Sequence, residues 1–189
     1  MLTLTKKNSL TEYFDQEILS ETRNEYIDGE IIPMTGGTPT HNRIIGNFFV
    51  ALHQAIQDKP YGIFVTDQRL WIPDRKIATY PDVMVMAEPL EYQEGRKDTL
   101  VNPILIAEIL SPSTATYDRT GKFASYRTIP SFQEYLLISQ DRPYIEHFHK
   151  EGDRWIFTVY ENDVNISLIS FEIAIATSVL YNRINFESE

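Results

Sequence analysis

The sequence predicts an α/β (α+β) fold: a curved mixed β-sheet flanked by helices. The element order carries most of that prediction, since helix, hairpin, helix, several strands, helix and strands follow one another, and such an order packs helices onto a sheet. The run Pro-Ile-Leu-Ile-Ala-Glu-Ile-Leu at 103–110 adds a central strand apolar on both faces. The third observation is continuity: 189 residues hold no internal repeat, low-complexity tract or Gly/Ser linker, so residues 1–189 read as a single domain.

In order along the chain, Ser9-Leu10-Thr11-Glu12 is a capping box, and Leu10, Tyr13 and Phe14 share one face of the short helix it opens. Asp28-Gly29 between β-type residues signals a two-residue hairpin. Residues 34–39 form a loop before a helix over about 40–56, whose buried stripe is Ile44, Ile45, Phe48, Leu52 and Ile56. Strands are expected at 62–66, 68–72 and 82–86, the last introduced by Tyr80-Pro81. Residues 88–102 are polar and read as an exposed connection to the 103–110 strand. A helix over 118–127 follows, stopped by Pro130. Three strands, 135–139, 144–149 and 155–160, turn at Arg142-Pro143 and Glu151-Gly152-Asp153. The tail carries no readable period.

Composition narrows the function. There are no cysteines, which excludes thiol catalysis, disulfide scaffolds, iron–sulfur clusters and thiolate zinc sites. Without an export signal or a run of about 20 apolar residues, the expectation is a cytoplasmic protein with no membrane partner. Seventeen basic against 27 acidic side chains give a net charge of −10. That balance argues against bulk attraction to nucleic acid, yet leaves room for an enzyme that meets it through a metal and a few local cations.

Glu108 is the informative anomaly, one carboxylate among seven apolar neighbours. An unpaired buried carboxylate is too costly to keep, so it needs a cation, a metal or a proton. Asp82 opens the other apolar run, and two acids on neighbouring strands can converge on a hard cation such as Mg²⁺ or Mn²⁺. Asp118, Lys122 and Tyr126 are four apart on one helical face. That face can look back at the carboxylates; a solvated Asp118–Lys122 pair is the bland alternative.

Other candidates carry less. His147 and His149 share a strand face and would begin a zinc site only with a third ligand; an ordinary strand surface is the simpler expectation. His41 near the long helix start could touch phosphate or simply cap the helix, and Glu25 could add a metal-site acid or belong to a charged hairpin. Ser111 and Ser113 lack a nucleophile elbow, and no phosphate-binding glycine loop is present.

Taken in order, Glu25 through Glu30, Met34 through His41, Pro81-Asp82, Ala107-Glu108-Ile109-Leu110-Ser111-Pro112-Ser113-Thr114, and Asp118 with Lys122 and Tyr126 resemble the Uma-type family of restriction-type endonucleases. That family is abundant in cyanobacteria and lies within the PD-(D/E)XK nuclease superfamily. The resemblance implies a restriction-endonuclease-like core and Mg²⁺-dependent hydrolysis of DNA. Asp82, Glu108 and the backbone carbonyl of Ile109 would hold the metal, with Glu25, His41 and Tyr126 as accessory residues. Attack by water would leave a 5′-phosphate and a 3′-hydroxyl. The superfamily's lysine lies two residues after the glutamate, where this chain has Leu110. The resemblance places its counterpart on the following helix, at Lys122, and makes a homodimer a reasonable expectation.

Two other readings stand beside it. A catalytically degenerate nuclease fold binding nucleic acid or protein fits the net charge and Leu110. A two-carboxylate glycoside hydrolase rests only on the aromatic content.

Overall fold

The protein is described here from a computed structural model covering residues 7–186. Helix α1 (Leu10–Leu19) begins at the expected capping box: the Glu12 N–H donates to Ser9 Oγ and the Ser9 N–H donates to Glu12 Oε2. The hairpin β1 (Asn24–Ile27) and β2 (Glu30–Pro33) turns at Asp28 (φ 44°) and Gly29 (φ 94°). Both residues are left-handed, as a two-residue turn matched to strand twist requires. A Cβ on Gly29 would also lie 2.7 Å from Lys7 Cβ.

Helix α2 (Pro39–Ile56) starts on a proline, with Thr38 Oγ1 accepting from the His41 N–H. Its stripe Ile44, Ile45, Phe48, Leu52 and Ile56 is buried as the periodicity requires. Then come β3 (Tyr61–Val65), β4 (Arg69–Ile72), β5 (Ile77–Thr79), β6 (Val83–Ala87), β7 (Thr99–Leu100) and β8 (Pro103–Leu110). Helix α3 (Ala115–Tyr117) runs through a π-helical stretch (Asp118–Lys122) into α4 (Phe123–Tyr126). The chain continues through β9 (Glu134–Ser139), β10 (Tyr144–Glu151), β11 (Arg154–Glu161), β12 (Asn165–Leu168), β13 (Ile173–Ala176) and α5 (Thr177–Leu180).

The α+β class is as expected, but the strands divide between sheets instead of forming one. A six-stranded sheet has the order β11-β10-β9-β8-β6-β3, with β8 parallel to β9 and antiparallel to β6. A five-stranded sheet, β2-β1-β5-β4-β7, gathers the hairpin and the middle strands. β12 and β13 pair separately. β8 is buried on both faces. Leu105, Ala107 and Ile109 pack in the α2 core, while Ile106 and Leu110 join Tyr126, Phe132, Tyr135 and Leu137.

Three expectations change. The end of the 88–102 connection is buried: Leu100 pairs with Leu70, and Asn102 Oδ1 accepts from the Glu91 N–H at 3.0 Å. Two paired residues are too short a run to show a period. The tail becomes a hairpin and a short helix whose Ile166, Leu168, Phe171, Ile175 and Leu180 complete the α2 core. The helix after β8 begins at Ala115, earlier than 118. No helix among the described residues is long and apolar enough to cross a membrane.

The two faces of α2 should respond differently to truncation. Phe48→Ala should cost about 3–5 kcal/mol in a urea titration, because it opens a cavity at a fully buried position. Val50→Ala, at a position 50% exposed on the same helix, should stay within about 0.5 kcal/mol. Equal losses would mean that the helix packs by another face.

Candidate active site

The antiparallel register of β6 and β8 pairs Val83 with Ala107, and one step further sets Asp82 beside Glu108. The Asp82 N–H lies 3.5 Å from Glu108 Oε2. Asp82 Oδ2 accepts from the Ile109 N–H at 2.8 Å and lies 3.2 Å from His41 Nε2. Helix α2 delivers that histidine from its first turn, because Thr38 and Pro39 fix where the helix starts.

Glu108 shares the β8 face of Ile106 and Leu110, which turns it toward the helix that follows. There Tyr126 donates its hydroxyl to Glu108 Oε1 at 2.7 Å, and Lys122 Nζ lies 3.2 Å from the same oxygen. Lys122 Nζ also sits 3.1 Å from Asp118 Oδ1. The solvated alternative does not hold: the pair faces the carboxylates and is buried, with the Asp118 side chain 2% exposed. The π-helical turn that holds it depends on Gly121: a Cβ there would lie 2.3 Å from the Tyr117 ring. Glu25 accepts a hydrogen bond from Thr79 Oγ1 at the mouth of the same cleft.

All six expected side chains, Asp82, Glu108, Lys122, Tyr126, His41 and Glu25, therefore converge. All but Tyr126, which is fully buried behind Glu108, line a cleft of about 400 Å³, with Ile32 and Pro33 of the hairpin as an apolar wall. Ile109 lines it too, and its N–H is the group that touches Asp82. Sequence reading missed Gln140, whose Nε2–H donates to the Leu110 carbonyl at 2.8 Å and whose Oε1 accepts from Thr38 at 2.8 Å. It ties the end of β8 to the start of α2. No local signal marks a residue whose partners lie 30 and 102 positions away.

Electrostatics follow from burial. Desolvation pushes the Glu108 carboxyl up to about 8; the Lys122 ammonium opposes this, while Asp82 and Asp118 reinforce it. Burial also works against the Lys122 charge, but Glu108, Asp118 and Glu25 outweigh it and hold the lysine protonated. For His41 burial is again the largest influence and lowers its affinity for a proton, yet the Asp82 hydrogen bond and charge leave it above its ordinary value.

Several acids thus face one lysine and one histidine. Asp82 and Glu108 offer adjacent hard oxygen donors at an accessible cleft, a set that suits a divalent cation keeping part of its water. Among the described residues no three His, Asp or Glu side chains close into a ready metal cage. Two carboxylates would leave most of such a cation's shell to water or to a ligand's own oxygens.

His147 and His149 lie outside this cleft. His147 is no surface residue but 1% exposed, with Nε2 3.4 Å from the buried Glu134 Oε1. Arg119 is likewise engaged elsewhere, 2.7 Å from Glu146.

Comparison with known proteins agrees with this architecture. The chain is 45% identical over 155 residues to the uncharacterized protein sll1609 of Synechocystis sp., covering 82% of this chain and 88% of that one. It is 33% identical to slr1290 of the same organism, over 95% and 94% of the two chains. A crystal structure of a putative nuclease belonging to DUF820 from Anabaena variabilis superposes with a TM-score of 0.71 at 19% identity, covering 88% of this chain and 93% of that one, and shares the fold. The Uma2 family model, described as "Putative restriction endonuclease", matches residues 10–178, and the chain belongs to that family.

Proposed function

We propose that the protein is a Mg²⁺- or Mn²⁺-dependent endonuclease that hydrolyses DNA phosphodiester bonds. The observation that carries this reading is the convergence of Asp82, Glu108 and Lys122, from three separate elements, at one cleft. The family's description as restriction endonucleases and that of the Anabaena protein as a nuclease support the reaction class.

Asp82 and Glu108, with the Ile109 carbonyl, would hold the cation. When bound, it supplies Lewis acidity toward the phosphodiester and a water. The chain's own residues do the rest. Tyr126, donating to Glu108 Oε1, fixes the carboxylate in one orientation. Lys122 keeps its charge beside Glu108 and can orient a water or stabilise the charge that develops on phosphate. His41, held against Asp82, presents a second proton-bearing group to the cleft. The apolar Ile32 and Pro33 wall offers contact area without charge.

The competing reading, a binding module without catalysis, draws on Leu110 and the net charge of −10. Lys122 bears on the first point, since its ammonium lies 3.2 Å from Glu108 Oε1 and supplies the cleft with a lysine from another element. The second concerns the whole surface and says little about a local cation in an acidic cleft.

Three outcomes are expected. Asp82→Ala and Glu108→Ala should each abolish Mg²⁺-dependent cleavage of DNA with the circular dichroism spectrum unchanged; cleavage persisting in both purified variants rejects the assignment. Lys122→Arg should lose about as much as Lys122→Ala, at least ~100-fold in kcat, because a planar guanidinium cannot replace a compact ammonium between Glu108 and Asp118. Parent-like cleavage by Lys122→Ala would remove the lysine from the mechanism.

The third outcome concerns pH. Burial raises the proton affinity of Glu108 well above the ordinary carboxylate range, and only the ionised form is a good ligand. Mn²⁺ affinity measured calorimetrically should therefore rise with pH by up to about tenfold per unit until Glu108 ionises, with proton release on binding. Glu108→Gln should flatten that rise. A flat parent profile would mean that Glu108 is not a ligand.

A further inference from the structure

β11 is an outer strand of the six-stranded sheet, and among the described residues nothing pairs with its free edge. Its sequence is Arg-Trp-Ile-Phe-Thr-Val-Tyr-Glu, eight residues spanning roughly 27 Å. Edge strands are usually blunted by shortness, proline, a bulge or an inward charge, because unpaired backbone groups invite another strand. β11 has none of these devices. Its pairing with β10 runs without a register shift from Arg154 to Glu161, and charges occupy only its two ends. At the opposite edge β3 has five residues and follows Pro60. The apolar side chains on one face of β11 are also uncovered: Phe157 is 53% exposed and Val159 38%. Phe157 rests on Phe148 at 4.7 Å between ring centroids, so the patch continues the core beneath it.

We infer that β11 is a homodimer interface, pairing antiparallel with β11 of a second copy about a two-fold axis at Phe157. The strand's own pattern selects this occupant. A two-fold axis perpendicular to a sheet keeps each face on its own side, so residues pair only with positions an even number away. Centred on Phe157, that rule sets Phe157 against its symmetry mate and Trp155 against Val159, apolar pairs throughout on the exposed face. On the other face Ile156 meets Thr158, and Arg154 meets the Tyr160 ring. No like charges oppose one another between 154 and 160. A strand that must bury Phe157 and Val159 and satisfy its outer backbone groups finds both needs met by its own copy.

The geometry fixes where the two clefts fall. β8 is fourth from the β11 edge, so the two β8 strands stand about 34 Å apart across one continuous sheet. The two-fold reverses their direction, and the clefts, each beyond the C-terminal end of its β8, open at opposite ends. Each would act alone. The inference does not depend on the nuclease reading, since no cleft residue lies on β11.

Light scattering on the full chain should give twice its 22.0 kDa. Phe157→Lys with Val159→Lys should give the monomer mass with an unchanged circular dichroism spectrum. Because the chain has no cysteine, Phe157→Cys supplies a single thiol at the axis and should form a disulfide-linked dimer on mild oxidation. A monomeric parent at the concentration of the cross-linking experiment overturns the inference. So does a dimer that survives both lysines and fails to cross-link at 157.

Discussion

The Glu108 carboxylate lies in a strand whose neighbouring residues are apolar, and much of the site follows from accommodating its charge. Water cannot solvate it, so the protein supplies a tyrosine hydroxyl, a lysine ammonium and the edge of the neighbouring strand. Lys122 in turn is 13% exposed, and Glu108 and Asp118 both favour its protonated form against burial. Asp118 is buried, so the helix after β8 must dock closely, which Tyr135 secures by donating its hydroxyl to the Asp118 carbonyl at 3.0 Å. The aromatic cluster of Tyr126, Phe132 and Tyr135 fills the space beneath. Each link is a response to the one before.

The same chain of responses explains what could be read from sequence. Glu108 was conspicuous because seven apolar residues surround it, and Asp82 because it opens the adjacent apolar run. Helix α2 and its buried stripe were legible from their period, and the first hairpin from Asp28-Gly29. Other features leave no local trace. The division into two sheets depends on β5 and β7, three and two residues long, which have no period. Gln140 reaches the cleft only because the fold brings it to Leu110 and Thr38. The spacing of Asp118 and Lys122 alone leaves both readings open, because an i,i+4 acid–lysine pair looks the same on a wet helix as on a docked one; the apolar strand before it favours the docked one. His147 was misjudged for a related reason: strand alternation gives its face, while the partner that buries it, Glu134, arrives from another strand.

The scaffold separates two tasks. α2 and the C-terminal hairpin pack one face of the large sheet and contribute only His41 to the cleft. The opposite face carries the aromatic cluster and the helix with Lys122. The acids sit between, where β6 and β8 run side by side. The ammonium beside Glu108 comes from the following helix, while Leu110, two residues along the glutamate's own strand, packs in the core.

The π-helical turn at Asp118–Lys122 has a consequence for changes in chain length. Removing one residue from it would let the helix relax to ordinary α geometry, an easy change for the backbone. A π-helical turn carries one extra residue, bonding i to i+5 in place of i to i+4, so after the loss the residues that follow would keep nearly their original phase. Tyr126 would still face Glu108, whereas removing Thr120 or Gly121 would set Asp118 and Lys122 three positions apart instead of four. A single-codon deletion would thus spare the helix and its docking, and its effect would be confined to how the buried acid meets the lysine.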